Sequence, residues 1–108
     1  MRVLHLMTNI FLMSIFFAHD NKNDWPNLNR YQKENAIIEK NNENRPRVIF
    51  IGNSITEGWN WHYPQFFKNN KNYYNRGISG QTTPQMLIRF RQDVIDLDPD
   101  IVVILAGI

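Results

Sequence analysis

The sequence contains no cysteine. Within these 108 residues disulfides, thiolate metal sites and a lipid anchor on a cysteine behind a signal peptide are excluded. Glycine and proline number only five each, so neither a low-complexity tract nor a collagen-like repeat is present. Charge of one sign is not in excess: 12 Lys and Arg face 10 Asp and Glu, and the basic residues are scattered. The densest basic cluster, Arg89-Phe90-Arg91, falls in an expected helix and reads as a solvated face rather than a phosphate-binding patch. No nucleic-acid partner is expected. Long apolar runs are also missing. Val3 to Phe17 is broken by His5, Thr8, Asn9 and Ser14 and is too short for a stable membrane span.

What the first residues do offer is the layout of an export signal. Arg2 supplies a positive start, an apolar stretch follows, and cleavage is expected after Ala18, although Phe16 fills a place that favours a small side chain. An uncleaved anchor and a buried hydrophobic helix are the alternatives. Residues 19–46 are expected to hold one helix and a linker. Asp24-Trp25-Pro26 is a helix-start signal, and Leu28, Tyr31, Asn35 and Ile38 recur at helical spacing as far as about Asn41. Trp25 is expected to anchor this helix on the domain rather than to touch a ligand. Pro46 prevents a helix from running into the next element.

Residues 47–108 carry the organised part. Val48-Ile49-Phe50-Ile51 and Ile101-Val102-Val103-Ile104-Leu105 are unbroken apolar runs, the pattern of parallel strands buried on both faces. Tyr73-Tyr74-Asn75 is a shorter strand. Between them, Pro64 to Lys68 reads as a short helix with Phe66 and Phe67 turned inward. A longer helix is capped by Thr82 or Thr83, with Pro84 at its start. Its expected core stripe is Leu87, Phe90, Val94 and Leu97, with Arg89, Gln92, Asp93 and Asp96 mostly on the other face. Strand, helix, strand, helix, strand with right-handed crossovers makes a parallel α/β sheet with helices on both sides.

Chemistry points to the end of the first run. In Gly52-Asn53-Ser54-Ile55-Thr56, glycine permits a sharp turn and Ser54 lies just past a buried parallel strand, where open α/β sheets place their sites. A following helix would aim free N–H groups at the same spot. Taken alone, the turn reads rather as a plain strand-to-helix connection in which Ser54 only caps the helix. A second stretch, Asn75-Arg76-Gly77-Ile78-Ser79-Gly80-Gln81-Thr82-Thr83, changes the balance. Together the two stretches resemble the SGNH (GDSL-like) hydrolases, with Asn53 where that family usually has Asp. The resemblance covers roughly Arg47 to Ile108, and a third family block would open at Ala106-Gly107-Ile108.

That resemblance implies a flavodoxin-like three-layer α/β/α domain with the first strand between the second and third. It implies a serine-dependent ester hydrolase, an acylhydrolase or acetylesterase acting on acylated carbohydrates or other small acyl esters. Ser54 would be the nucleophile and, through its own N–H, one oxyanion donor. The N–H of Gly80 would be the second donor, and Asn53 a binding residue. No metal or organic cofactor is implied. The family's Asp-x-x-His block has no counterpart here, because His5, His19 and His62 all precede or adjoin the first block. Residues 1–108 by themselves are therefore expected to be catalytically silent. His62, a loop residue among aromatics, is not expected to be the base. Two rivals remain at this point: a flavodoxin-like module cradling a phosphate or FMN with the hydroxyls of Ser54 and Thr56, and a non-catalytic half-fold.

Overall fold

Two apolar runs and a shorter mixed one become the three strands of a single parallel sheet. The computed structural model describes residues 23–38 and 44–107, so the expected export signal at 1–18 and linker residues 39–43 lie outside the described residues. The elements are α1 (Gln32–Ala36), β1 (Val48–Gly52), α2 (Ser54–His62), α3 (Pro64–Lys68), β2 (Tyr73–Gly77), α4 (Thr83–Asp93), a 3-10 turn (Ile95–Leu97) and β3 (Ile101–Leu105). The sheet order is β2-β1-β3, with β1 in the middle as the resemblance implies. Register runs from Val48 opposite Tyr73 and Ile101 to Gly52 opposite Gly77 and Leu105.

Successive residues of β1 point to opposite faces, and each face has its own cover. Ile49 and Ile51 are buried with Met86, Val94 and Leu97 on the α4 side. Phe50 points the other way, into a cluster with Trp59, Phe66, Phe67 and Tyr73, its ring 5.6–6.0 Å from theirs. Helices therefore lie on both faces of β1, which is why its apolar run has no alternation. Where α2 crosses the end of β2 the approach is so close that a Cβ on Gly77 would overlap the backbone of Glu57. The starts of β1 and β3 are joined by Arg45, which pairs with Asp98 and Asp100 at 2.9 Å each, and by the Arg47 N–H donating to Asp100 at 2.7 Å.

Four expectations change. The helix foreseen from Asp24 shrinks to α1. The Asp24 carboxylate accepts the N–H groups of Leu28 and Asn29 at 2.8 and 3.0 Å, and Asn27 takes φ 58°, so Asp24 caps an isolated turn. Trp25 anchors nothing with its ring: the residue is 59% exposed. On α4 the buried column is Met86, Arg89 and Asp93, whereas Leu87 is 74% exposed. The two columns adjoin on the helix surface, and polar partners brought from other elements favour the one that carries charge. Finally, β3 is mostly exposed rather than buried on both faces: it is an edge strand among the described residues, and of its five residues Val102 alone is half-buried, against the α4-side core. No helix among the described residues is long and apolar enough to cross a membrane.

Candidate active site

The turn after β1 is held by Asn53. Its side-chain oxygen accepts the N–H of Ile55 at 3.2 Å and its carbonyl accepts the N–H of Glu57 at 3.0 Å, which makes it the cap of α2. Capping is thus the task of Asn53 and not of Ser54. Ser54 is the first residue of α2, is exposed, and its hydroxyl makes no hydrogen bond among the described residues. It stands at the positive end of the α2 dipole, which favours negative charge at that position. Thr56, the other hydroxyl of the rival phosphate cradle, is buried, with its Oγ1 packed where a side chain on Gly52 would have to go. That leaves Ser54 as the sole exposed hydroxyl of the turn.

The loop after β2 lies at the same end of the sheet. The Ile78 N–H donates to the Gly52 carbonyl at 3.1 Å, so the loop starts against the end of β1. Glu57, in the first turn of α2, accepts from the Ser79 N–H at 3.2 Å and from its hydroxyl at 3.1 Å. Gly80 follows at φ 76°, exposed, with no atom within 4 Å of where a Cβ would stand. Steric space is ample there; backbone conformation is what demands glycine. Ser54 and Gly80 are thus carried by adjacent loops tied through Glu57, yet they line different cavities. That of Ser54, about 540 Å³, runs along α2 past Trp59 to His62 and Tyr63. That of Gly80, about 350 Å³, is shared with residues 24–29.

These positions support a graded expectation for Gly80. Gly80→Asn, which tolerates positive φ, should keep most of the rate. Gly80→Val, which does not, should lower kcat by about 10²–10³ with little change in KM, the size of losing one oxyanion donor. Steady-state kinetics of the two variants on a short-chain acyl ester provide the check, and a change confined to KM would move Gly80 from charge stabilisation to substrate binding.

Beneath both loops lies a buried polar network. Arg89, fully buried, donates from Nε to Gln81 at 2.6 Å, from one terminal nitrogen to Asp93 at 3.1 Å, and from the other to the Gly52 carbonyl at 3.2 Å. Asp93 also accepts from Asn35 at 2.8 Å, Asn35 accepts from Arg76 Nε at 2.9 Å, and Arg76 donates to the Asn75 carbonyl at 2.8 Å. Asn75 in turn donates to the Thr56 carbonyl at 2.6 Å. Burial pulls the guanidinium groups of Arg89 and Arg76 below their ordinary pKa, and the hydrogen bond to Asp93 acts in the opposite direction on Arg89. One guanidinium thereby holds the carbonyl of the turn after β1, the side chain of the Gly80 loop and α4 together. Only the spacing of Arg89 and Asp93, four residues apart on a helix, is visible beforehand.

His62 is the one histidine among the described residues. It stands eight residues along α2 from Ser54, about 12 Å of helical rise, too far for a direct hydrogen bond.

A parallel three-stranded α/β sheet, with an exposed serine opening the helix behind its central strand and a glycine loop alongside, defines a flavodoxin-like domain, the kind of open sheet that binds ligands at its strand ends. The chain belongs to the GDSL-like lipase/acylhydrolase family, whose model matches residues 50–108. Among solved structures it is similar to a candidate acylhydrolase from Bacteroides fragilis NCTC 9343. The two are 54% identical with a TM-score of 0.72, over 77% of this chain and 39% of that one. A GDSL-like lipase from Bacteroides thetaiotaomicron VPI-5482 is also 54% identical, with a TM-score of 0.71, over 76% of this chain and 40% of that one. An uncharacterized lipoprotein of Bacillus subtilis (strain 168), YqeF, is 34% identical over 73 residues, which are 56% of this chain and 30% of that protein. The chain spans well under half the length of each of these relatives.

Proposed function

We propose that these residues form the nucleophile-bearing part of a serine ester hydrolase. Ser54 attacks the acyl carbonyl, and the N–H groups of Ser54 and Gly80 receive the oxyanion. The observation that carries this is the position of Ser54: first in α2, exposed, with its hydroxyl uncommitted because Asn53 does the capping. Membership of the GDSL-like family supports hydrolysis of a small ester, and the resemblance of the Gly52–Thr56 and Gly77–Thr83 stretches to acylhydrolases and acetylesterases favours an acylated carbohydrate. The general base comes from outside the described residues, since His62 is out of reach. The leader at 1–18 and the lipoprotein relative together favour an exported protein. The test is covalent trapping: a fluorophosphonate ester should add, in the whole protein, to the peptide that contains Ser54. Addition to another serine, or none, rejects the reading.

A further inference from the structure

Residues 24–29 precede the stretch matched to the family, yet they are bound to its Gly80 loop at Gln81 and to α4 at Gln85 and Gln92. Gln81 donates to the Pro26 carbonyl at 2.6 Å, Gln85 to the Trp25 carbonyl at 2.8 Å, and Gln92 to the Leu28 carbonyl at 2.6 Å. The Tyr31 hydroxyl donates to the Gly77 carbonyl at 2.5 Å. This is a fixed wall and not a trailing arm. Between it and the loop lies the cavity of about 350 Å³, within the range of small-ligand sites. Trp25, Asn27 and Asn29 stand on one side, Ser79, Gly80 and Gln85 on the other.

The lining has a definite chemistry. It contains no Lys or Arg, so a phosphate or carboxylate would find no countercharge. Its one carboxylate, Asp24, is already bonded to two backbone N–H groups, so a cation would compete with the turn. Its apolar surface is confined to Trp25 and Ile78, too little to hold an acyl chain. Ser79, Gln81 and Gln85 are already hydrogen-bonded to Glu57, to Pro26 and Arg89, and to Trp25 and Thr82, so what remains is the pair of neutral amides of Asn27 and Asn29 beside an indole on a residue 59% exposed, although its backbone is held in place. A sugar ring carries the matching groups: hydroxyls around its rim for the amides, and a C–H face that stacks on an aromatic ring.

We propose that this cavity is the carbohydrate subsite of the enzyme, taking the sugar on the alcohol side of the scissile ester, with Trp25 as its stacking platform. The assignment rests on the hydrolase reading above, which places Gly80 at the oxyanion. It makes the segment before the family match a determinant of specificity, with Trp25 as a ligand contact.

The experiment compares two substrates in the whole protein, an acetylated xylo-oligosaccharide and p-nitrophenyl acetate. Trp25→Ala should lower kcat/KM for the oligosaccharide roughly tenfold more than for the small ester, mostly through KM, the size of one aromatic stacking contact. Equal losses on both substrates, or no loss on either, overturn the subsite. If neither ester is hydrolysed by the unmutated protein, the hydrolase reading fails, and binding then decides the subsite on its own. The indole N–H resonance of Trp25, assigned by its disappearance in Trp25→Phe, should shift saturably as unacylated xylo-oligosaccharide is added at millimolar concentration. A still resonance overturns the proposal, as does a shift of Trp59 or Trp61 alone.

Discussion

Replacement of Ser54 by alanine is expected to lower kcat on a short-chain acyl ester by about 10⁶-fold in the whole protein, leaving only the contribution of binding and the remaining donors. The size follows from the role. A nucleophile is not one of several additive contacts; without the hydroxyl there is no acyl-enzyme, and water must attack unaided. The fold should be untouched. Ser54 is exposed, its hydroxyl has no hydrogen bond among the described residues, and the helix cap belongs to its neighbour Asn53. Alanine at the first position of α2 removes no packing and suits a helix. The thermal midpoint of Ser54→Ala should therefore match that of the parent, and its circular dichroism spectrum should superimpose. More than a few per cent of residual activity would eliminate Ser54 as nucleophile. An inactive variant that had also lost its cooperative transition would leave the serine with a structural duty that the geometry does not show.

The second large effect belongs to Arg89 and concerns stability. Arg89→Met fills much of the same volume but removes three donors at once. Asp93 loses its cation while remaining fully buried, and the Gly52 carbonyl and the Gln81 oxygen lose the partners that Arg89 supplies. Breaking a buried pair from one side costs about 3–5 kcal/mol, because an uncompensated charge stays behind. That is a large share of the 5–15 kcal/mol that holds a typical domain. The urea midpoint should fall accordingly. The companion variant Asp93→Asn isolates the cause. It should cost far less in the Arg89→Met background than in the parent, since the orphaned charge is then gone. Strictly additive losses would mean that Arg89 acts by packing alone. A loss below about 1 kcal/mol for Arg89→Met would mean that the network contributes little.

Two columns of α4 compete for burial, and the charged one wins. Leu87, Phe90, Val94 and Leu97 recur at spacings of three and four, but so do Met86, Arg89 and Asp93, one column to the side. Hydrophobicity selects the first column, and for Val94 and Leu97 that is right. Leu87 is nevertheless left exposed and Arg89 taken in, because α4 is rotated by what it meets. Gln81 and Gly52 are 8 and 37 residues from Arg89, and Asn35 is 58 residues from Asp93. None of those separations is a local period, so no window of sequence contains the reason for the burial. The N-terminal segment departs from its local pattern for a related cause. Asp24 and Pro26 are helix-start residues by type, but Asn27 at positive φ ends the turn, and the backbone carbonyls of the segment are taken up by three glutamines that lie 55, 60 and 64 residues further on.

Local chemistry determined a good deal by itself. The unbroken apolar runs read as strands, and both are; at β1 the run is also covered on both sides, whereas at β3 it is not. In the Gly-Asn-Ser turn the asparagine starts a helix by a bond two residues long, a contact readable from sequence. Phe66 and Phe67 follow a proline suited to a first helical turn. These are decisions that neighbouring residues make through backbone sterics and hydrogen bonds of short range. Tertiary structure alone decided the rest: that β3 would be paired on one edge and exposed on its faces, that a charged column of α4 would be buried beneath the serine turn, and that residues 24–29 would stand across a cavity from Gly80. Each depends on which surfaces meet. Burial and electrostatic pairing act between groups close in space, and closeness in space is set by the packing of the whole chain and not by position along it.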